Sequence, residues 1–133
     1  MRKKKGQVLI PANANVWKHE LTTAQALALN GHTVTFLTTE QGTSKKSPDI
    51  VMMGQKWEIK SPRTDKLSGI ERNLKKATKQ SGNIIIDSHR LSSMHDVTLQ
   101  RFLIKMFKQQ KTITRLILIN KKRQVIDIGA LLE

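Results

Sequence analysis

The period of the hydrophobic pattern changes several times along the chain, and each change marks an element. Gln7 to Ile10 predicts a short strand that ends at Pro11. Asn15 then serves as the N-cap of a helix running to about Leu29, in which Val16, Leu21, Ala24, Leu27 and Ala28 fall on one face and Asn30-Gly31 closes the last turn. Thr33 to Thr38 has the β-branched content of a strand, and Gln41 to Ser47 is a polar, flexible connection. A hairpin follows, with Pro48-Asp49 on its first strand, Gly54-Gln55 at its turn and Glu58-Ile59-Lys60 on its second strand. Ser61 to Asp65 ends it. A second helix is predicted from about Lys66 to Gln80, with Leu67, Ile70, Leu74 and Ala77 at helical spacing. Asn83 to Asp87 reads as a central strand buried on both faces, and a third helix from about His95 to Gln109 leads to a closing pair, Thr114 to Asn120 and Gln124 to Ile128. This order predicts an α/β fold in which a mixed central sheet is flanked by helices.

The hairpin carries the candidate chemistry. With Gly54-Gln55 as a two-residue turn, Met53 pairs with Lys56, Val51 with Glu58 and Asp49 with Lys60. Ile50, Met52, Trp57 and Ile59 then share the core-facing side. Asp49, Glu58 and Lys60 share the other side, the two carboxylates on a diagonal of about 7–8 Å. Carboxylate oxygens suit a hard cation such as magnesium, with manganese or zinc as substitutes, and such a cation neutralises phosphate charge and acidifies a bound water. Asp49 and Glu58 would be the ligands, the carbonyl of Ile59 would complete the shell, and Lys60 would orient the attacking water or stabilise developing charge. The plain alternative is a half-exposed hairpin with an Asp49–Lys60 cross-strand ion pair.

Charge changes the weighing of those two readings. The chain has 133 residues with 24 Lys and Arg against 10 Asp and Glu, a net charge of +14. Such a field draws polyanions: nucleic acid, an acidic protein or an anionic membrane surface. No apolar run is long enough to span a bilayer and no secretory signal follows the basic start, so membrane insertion is not expected. Cysteine is absent, which removes disulfides, thiol nucleophiles and cysteine zinc sites. Residues 1–5 form a basic tail and residues 6–133 a single domain. The few aromatic residues argue against a nucleic-acid platform built from several exposed rings.

Two further groups join the candidate site. Glu20, in the first helix, is placed to reach the sheet and join Asp49 and Glu58. On the second helix, Lys75, Lys76, Lys79 and Gln80 are placed to hold substrate phosphate, the alternative being a solvated basic face. His19, His32, His89 and His95 offer a metal-free acid–base route, with surface turns as their ordinary role.

A helix bearing Glu20, strands carrying Pro48-Asp49 and Glu58-Ile59-Lys60, then a helix and a central strand, together resemble the core of the PD-(D/E)xK nuclease superfamily, with its restriction-endonuclease-like fold, over roughly Asn15 to Asp87. In finer detail, Glu20 with Ala24, Leu27 and Gly31, the strand Val34 to Leu37, Ser47-Pro48-Asp49-Ile50, Glu58-Ile59-Lys60-Ser61, and Lys76-Ala77-Thr78-Lys79-Gln80 before Ile84-Ile85-Ile86-Asp87 are similar to the C-terminal tRNase toxin domains of contact-dependent growth inhibition systems and to related phage or mobile-element domains. The resemblance implies acidic metal positions at Glu20, Asp49 and Glu58, a catalytic lysine at Lys60, and substrate support from Gln80 or a nearby lysine. It also implies a cognate immunity protein, acidic to match this charge, and action in the cytoplasm of a target cell. No delivery module is visible, which suits either an excised domain or a freestanding protein. The functional expectation is a metal-dependent endonuclease, cutting tRNA as a growth-inhibition toxin. The alternatives are a DNA endonuclease of a phage or mobile element, a nonenzymatic basic nucleic-acid-binding domain, and a phage assembly protein.

Overall fold

The computed structural model describes residues 5–38 and 49–132. The expectations for Pro48, for the Gln41 to Ser47 connection and for residues 1–4 of the basic tail lie outside these. One curled seven-stranded mixed sheet runs in the order β1 (Val8–Leu9), β2 (Val34–Phe36), β3 (Ile50–Met52), β4 (Gln55–Lys60), β5 (Asn83–Asp87), β6 (Arg115–Ile119) and β7 (Val125–Asp127). The pairs β1–β2, β4–β5 and β5–β6 are parallel, and β2–β3, β3–β4 and β6–β7 are antiparallel. Three helices, α1 (Lys18–Leu29), α2 (Leu67–Thr78) and α3 (Asp96–Gln109), make the connections that parallel pairing requires.

The central strands show why the sequence packs on both sides. Ile84 and Ile86 of β5, with Leu116 and Leu118 of β6, join Ile70 and Leu74 of α2 and Leu99 and Leu103 of α3 in one core. Ile85, Ile117 and Ile119 point the other way and join Ala24 and Leu27 of α1 with Ile50, Met52, Trp57 and Ile59. Alternate residues of a strand face opposite sides, so an unbroken apolar run is what a sheet covered by helices on both faces demands. The expected core face of the hairpin is buried as read, and the Trp57 indole N–H donates to the Met52 carbonyl at 3.0 Å.

The hairpin register differs from the expected one. The pairs are Ile50–Trp57, Val51–Lys56 and Met52–Gln55, so the turn is centred on Met53-Gly54 rather than Gly54-Gln55. Both central residues have positive φ, 54° and 70°, the combination whose twist matches that of the strands it joins. The shift is by an even number of residues, so each side chain keeps its face while its partner changes: Asp49 now lies against Glu58 instead of Lys60. The left-handed conformation is unfavourable for Met53, by about 1–2 kcal/mol relative to glycine. Met53→Gly should raise stability by roughly 0.5–1 kcal/mol. Denaturant unfolding of the two proteins checks this, and Met53 is half-exposed, so little packing is lost.

Helix α1 starts two residues later than the Asn15 cap predicts. Its N-cap is Trp17, whose backbone N–H donates to Glu20 Oε1 at 3.0 Å. The indole cannot accept in return, so only the carboxylate half of a capping box is made. That single bond sets the start of the helix and the position of Glu20.

Candidate active site

The hairpin, α1 and the end of β4 bring all four expected catalytic side chains together. Asp49 is half-buried, with its N–H donating to the Trp57 carbonyl at 3.0 Å and its Oδ2 accepting from the Ile59 N–H at 2.9 Å. The backbone of β4 thus aims Asp49 at Glu58. Ile59 therefore contributes through its N–H, a role the sequence reading did not include. Glu58 is buried, 6% exposed, and Lys60 Nζ lies 3.4 Å from its Oε2. Glu58 Oε1 is buried without a hydrogen-bond partner.

The carboxyls disturb one another. Burial first pushes Glu58 up to about 7, with the charge of Asp49 adding to the rise and Lys60 opposing it. Burial likewise pushes Asp49 up to about 6, opposed by the Ile59 N–H and reinforced by the Glu20 charge, with Lys60 and a contact with Glu58 working downward. Glu20 is raised by its own burial, against the Trp17 N–H and the Lys60 charge. Three acidic groups and one lysine form a single electrostatic unit.

A stability profile follows from these shifts. The unfolded chain releases the protons of such carboxyls near pH 4, whereas the folded protein holds them to about pH 6 and 7. The fold therefore loses stability as pH rises across that window, and the loss is complete above it. Metal-free Glu58→Gln should be more stable than wild type by roughly 1–3 kcal/mol at pH 8 and equal to it near pH 4. Thermal unfolding of both proteins in chelator across that pH range measures it.

An orphaned buried acceptor beside a second carboxylate fits a divalent cation, since the cation supplies the positive charge that the pair lacks. Asp49 and Glu58 would hold it. Among the described residues no group of three or more His, Asp or Glu side chains is already gathered for a metal, so water and substrate oxygens would fill the rest of the shell.

The second helix is arranged differently. Lys75, Lys76 and Lys79 are exposed, and Lys75 pairs with Glu71 at 3.4 Å, one turn away. Gln80 is half-buried with its Oε1 unpartnered. The largest effects on the three carboxyls come from burial, from the Trp17 and Ile59 N–H groups, from one another and from Lys60.

The sequence reading missed the support beneath the site. Asp87, at the end of β5, is fully buried and receives Arg123 through two bonds, Nη1 to Oδ1 at 2.7 Å and Nη2 to Oδ2 at 2.9 Å. Thr23 Oγ1 of α1 donates to Oδ2 at 2.7 Å, and the His89 N–H donates to Oδ1 at 3.0 Å. Burial would raise the Asp87 carboxyl, but Arg123, Thr23 and His89 together hold it below its usual value. Arg123 has φ 62° in the β6–β7 turn, which directs it back under the sheet. The pair fastens β5, the β6–β7 turn and the helix that carries Glu20 to one another. An acidic residue ending an otherwise apolar buried strand was the available signal, because such a charge needs a partner.

The rim of the site is cationic. His19 is lowered by its own burial and then by Arg90, His89 and Arg63, with Asp49 pulling the other way, so it feels both the cations and the carboxylate of the site. Of the four histidines, His19 and His89 stand beside the carboxylates; His95 is instead the N-cap of α3.

Comparisons with known proteins agree with this geometry at the level of family and fold. No curated protein matches the chain. Among solved structures, a chain of the CdiA-CT/CdiI toxin and immunity complex from Burkholderia pseudomallei superposes with a TM-score of 0.62 at 18% identity, covering 94% of this chain and 95% of that one. At that identity the likeness establishes the fold. The family described as the contact-dependent growth inhibition CdiA C-terminal domain matches residues 45–125, a span that includes Asp49, Glu58, Lys60 and Asp87 and exceeds half of the chain. The chain therefore belongs to the contact-dependent growth inhibition CdiA C-terminal domain family.

Proposed function

We propose that this domain is a growth-inhibiting toxin that hydrolyses phosphodiester bonds of nucleic acid in a target-cell cytoplasm, with tRNA the favoured substrate and a PD-(D/E)xK arrangement of site residues. The observation that carries the reading is half-buried Asp49 beside buried Glu58, with Lys60 at 3.4 Å from Glu58. Two carboxyls pushed up by burial and mutual repulsion are an unfavourable feature unless a cation uses them. Membership of the growth-inhibition family supports the toxin role, and the net charge of +14 supports a polyanionic substrate.

A bound divalent cation, magnesium by the oxygen character of its ligands, would neutralise phosphate charge and acidify water at the site. The chain's own residues do the rest. Asp49, held by the Ile59 N–H, and Glu58 present their oxygens at one place, and Glu20 adds negative charge from α1. Lys60 opposes the upward shift of the carboxyls and offers its ammonium to the phosphate or the attacking water. Lys75, Lys76 and Lys79 neutralise substrate phosphates away from the reacting bond, and the Gln80 amide holds one by hydrogen bonding. The neighbouring fold comes from a toxin and immunity complex, and an acidic immunity protein covering the cationic rim is the partner this charge would select.

Induced expression inside a bacterial host tests the proposal. Growth arrest with loss of intact tRNA and an undamaged plasmid, both abolished by Asp49→Ala, is expected. Normal growth with tRNA and plasmid intact would reject it, and plasmid loss with intact tRNA would reassign the substrate to DNA.

A further inference from the structure

We propose that Trp17 is a stacking platform for an unpaired nucleobase next to the cleavage site. Trp17 is the most exposed large apolar side chain among the described residues, at 64%. It is fixed rather than free. Its ring stacks on His19 with centroids 6.4 Å apart and planes 20° from parallel, and its backbone N–H is bonded to Glu20 at 3.0 Å. The backbone at Trp17 is thus tied to a carboxylate of the site, while the ring itself is backed by an imidazole and otherwise open to solvent. Arg63 and Arg90 are among the charges that act on His19, the ring on which Trp17 stacks, so the platform lies in a positive field.

An oriented, exposed aromatic ring with cations beside it is the arrangement that binds single-stranded nucleic acid, the base on the ring and the phosphates on the guanidinium groups. An exposed apolar ring alone would equally suit a protein partner. The surrounding positive charge and the bond to Glu20 favour a base that arrives with the phosphate to be cut. A duplex keeps its bases stacked inside, so the platform selects loops and single strands over double-stranded DNA. The sequence reading weighed against stacking because rings are few; one ring suffices when it stands at the site.

This inference rests on the nuclease reading for the position of the base but is tested by binding alone. Asp49→Ala protein, which retains the platform, is titrated in chelator against a dye-labelled single-stranded oligonucleotide and a dye-labelled blunt duplex, with affinity read from the anisotropy of the dye and stacking from tryptophan fluorescence. Trp57 is 1% exposed, so quenching by a base reports on Trp17. The expected result is quenching by the single strand only. Trp17→Ala on the same background should weaken single-strand binding about 5–100-fold, the loss of one stacked base, while Trp17→Phe retains most of it and duplex binding does not change. Equal single-strand affinity for Trp17→Ala and its parent overturns the proposal and leaves the ring to a protein partner. An equal loss toward both forms also overturns it, since charge and not stacking would then be at work. A protein that binds by stacking but never cleaves in metal would refute the nuclease reading and leave this one standing.

Discussion

Replacing Lys60 with alanine is expected to lower nucleic-acid cleavage by about 10²–10³-fold while leaving the protein folded. Lys60 lies at the end of β4, 26% exposed, with its ammonium 3.4 Å from Glu58 Oε2. It belongs to neither apolar core, so its removal should alter far-UV dichroism little. Two losses combine in the rate. The substrate phosphate loses its ammonium, and Asp49, Glu58 and Glu20 lose the cation that opposes their upward shift. The second effect has a signature of its own: the acid limb of the pH–rate profile should move to higher pH in Lys60→Ala. Asp49→Ala should be at least as inactive. Saturating magnesium would restore part of the acid-limb displacement by competing with protons for the same oxygens, but not the lost rate. If Lys60→Ala cleaves at the wild-type rate, the Glu58–Lys60 contact is an ordinary strand ion pair.

Arg123→Met is expected to destabilise the fold by about 3 kcal/mol, the largest single-residue loss outside the apolar cores. The reason is the charge left behind. Asp87 is completely buried, and without Arg123 only Thr23, the His89 N–H and the His89 ring remain against it. Breaking a buried pair from one side costs about 3–5 kcal/mol, and the 32% exposure of the arginine side chain places this case at the lower end. Because the Asp87 carboxyl is held below its usual value, the pair stabilises the protein above the unfolded carboxyl pKa, and that contribution disappears as pH falls through the folded one. Wild type and Arg123→Met should therefore converge in strong acid. Adding Asp87→Asn to Arg123→Met should recover part of the loss, which denaturant unfolding of the four proteins in the cycle would measure. The site feels the same change, because Thr23 anchors to Asp87 the helix on which Glu20 stands. Cleavage by Arg123→Met should fall even where the protein remains folded.

How legible this was from the sequence depended on how local each determinant is. Strands β5 and β6 and helix α3 were placed within a residue or two, because an isoleucine run between Gly82 and Ser88 and a capped amphipathic segment are recorded in adjacent residues. The gathering of Asp49, Glu58 and Lys60 was readable because strand alternation survives an error of register: the turn moved to Met53-Gly54, yet no side chain changed face. Their exact neighbours were not readable, since Gly54 can occupy either central position of a two-residue turn. The start of α1 was missed because Asn15 is a good cap by type, whereas Glu20 reaching back to Trp17 depends on the carboxylate's own position at the site. Asp87 and Arg123 are 36 residues apart, and only the sheet brings them together. The lysines of α2 are exposed as a basic face would be, but helical spacing says which residues share a face and not what that face looks toward.

The most direct test of the central claim is cleavage of total tRNA and of plasmid DNA by the purified protein, with magnesium and with chelator, beside Asp49→Ala and Lys60→Ala. The account predicts that wild-type protein degrades tRNA only with magnesium and leaves the plasmid intact, and that both variants are inactive. Cleavage that persists in chelator, or that survives in both variants, would contradict it and move the chemistry from the carboxylates to His19 and His89.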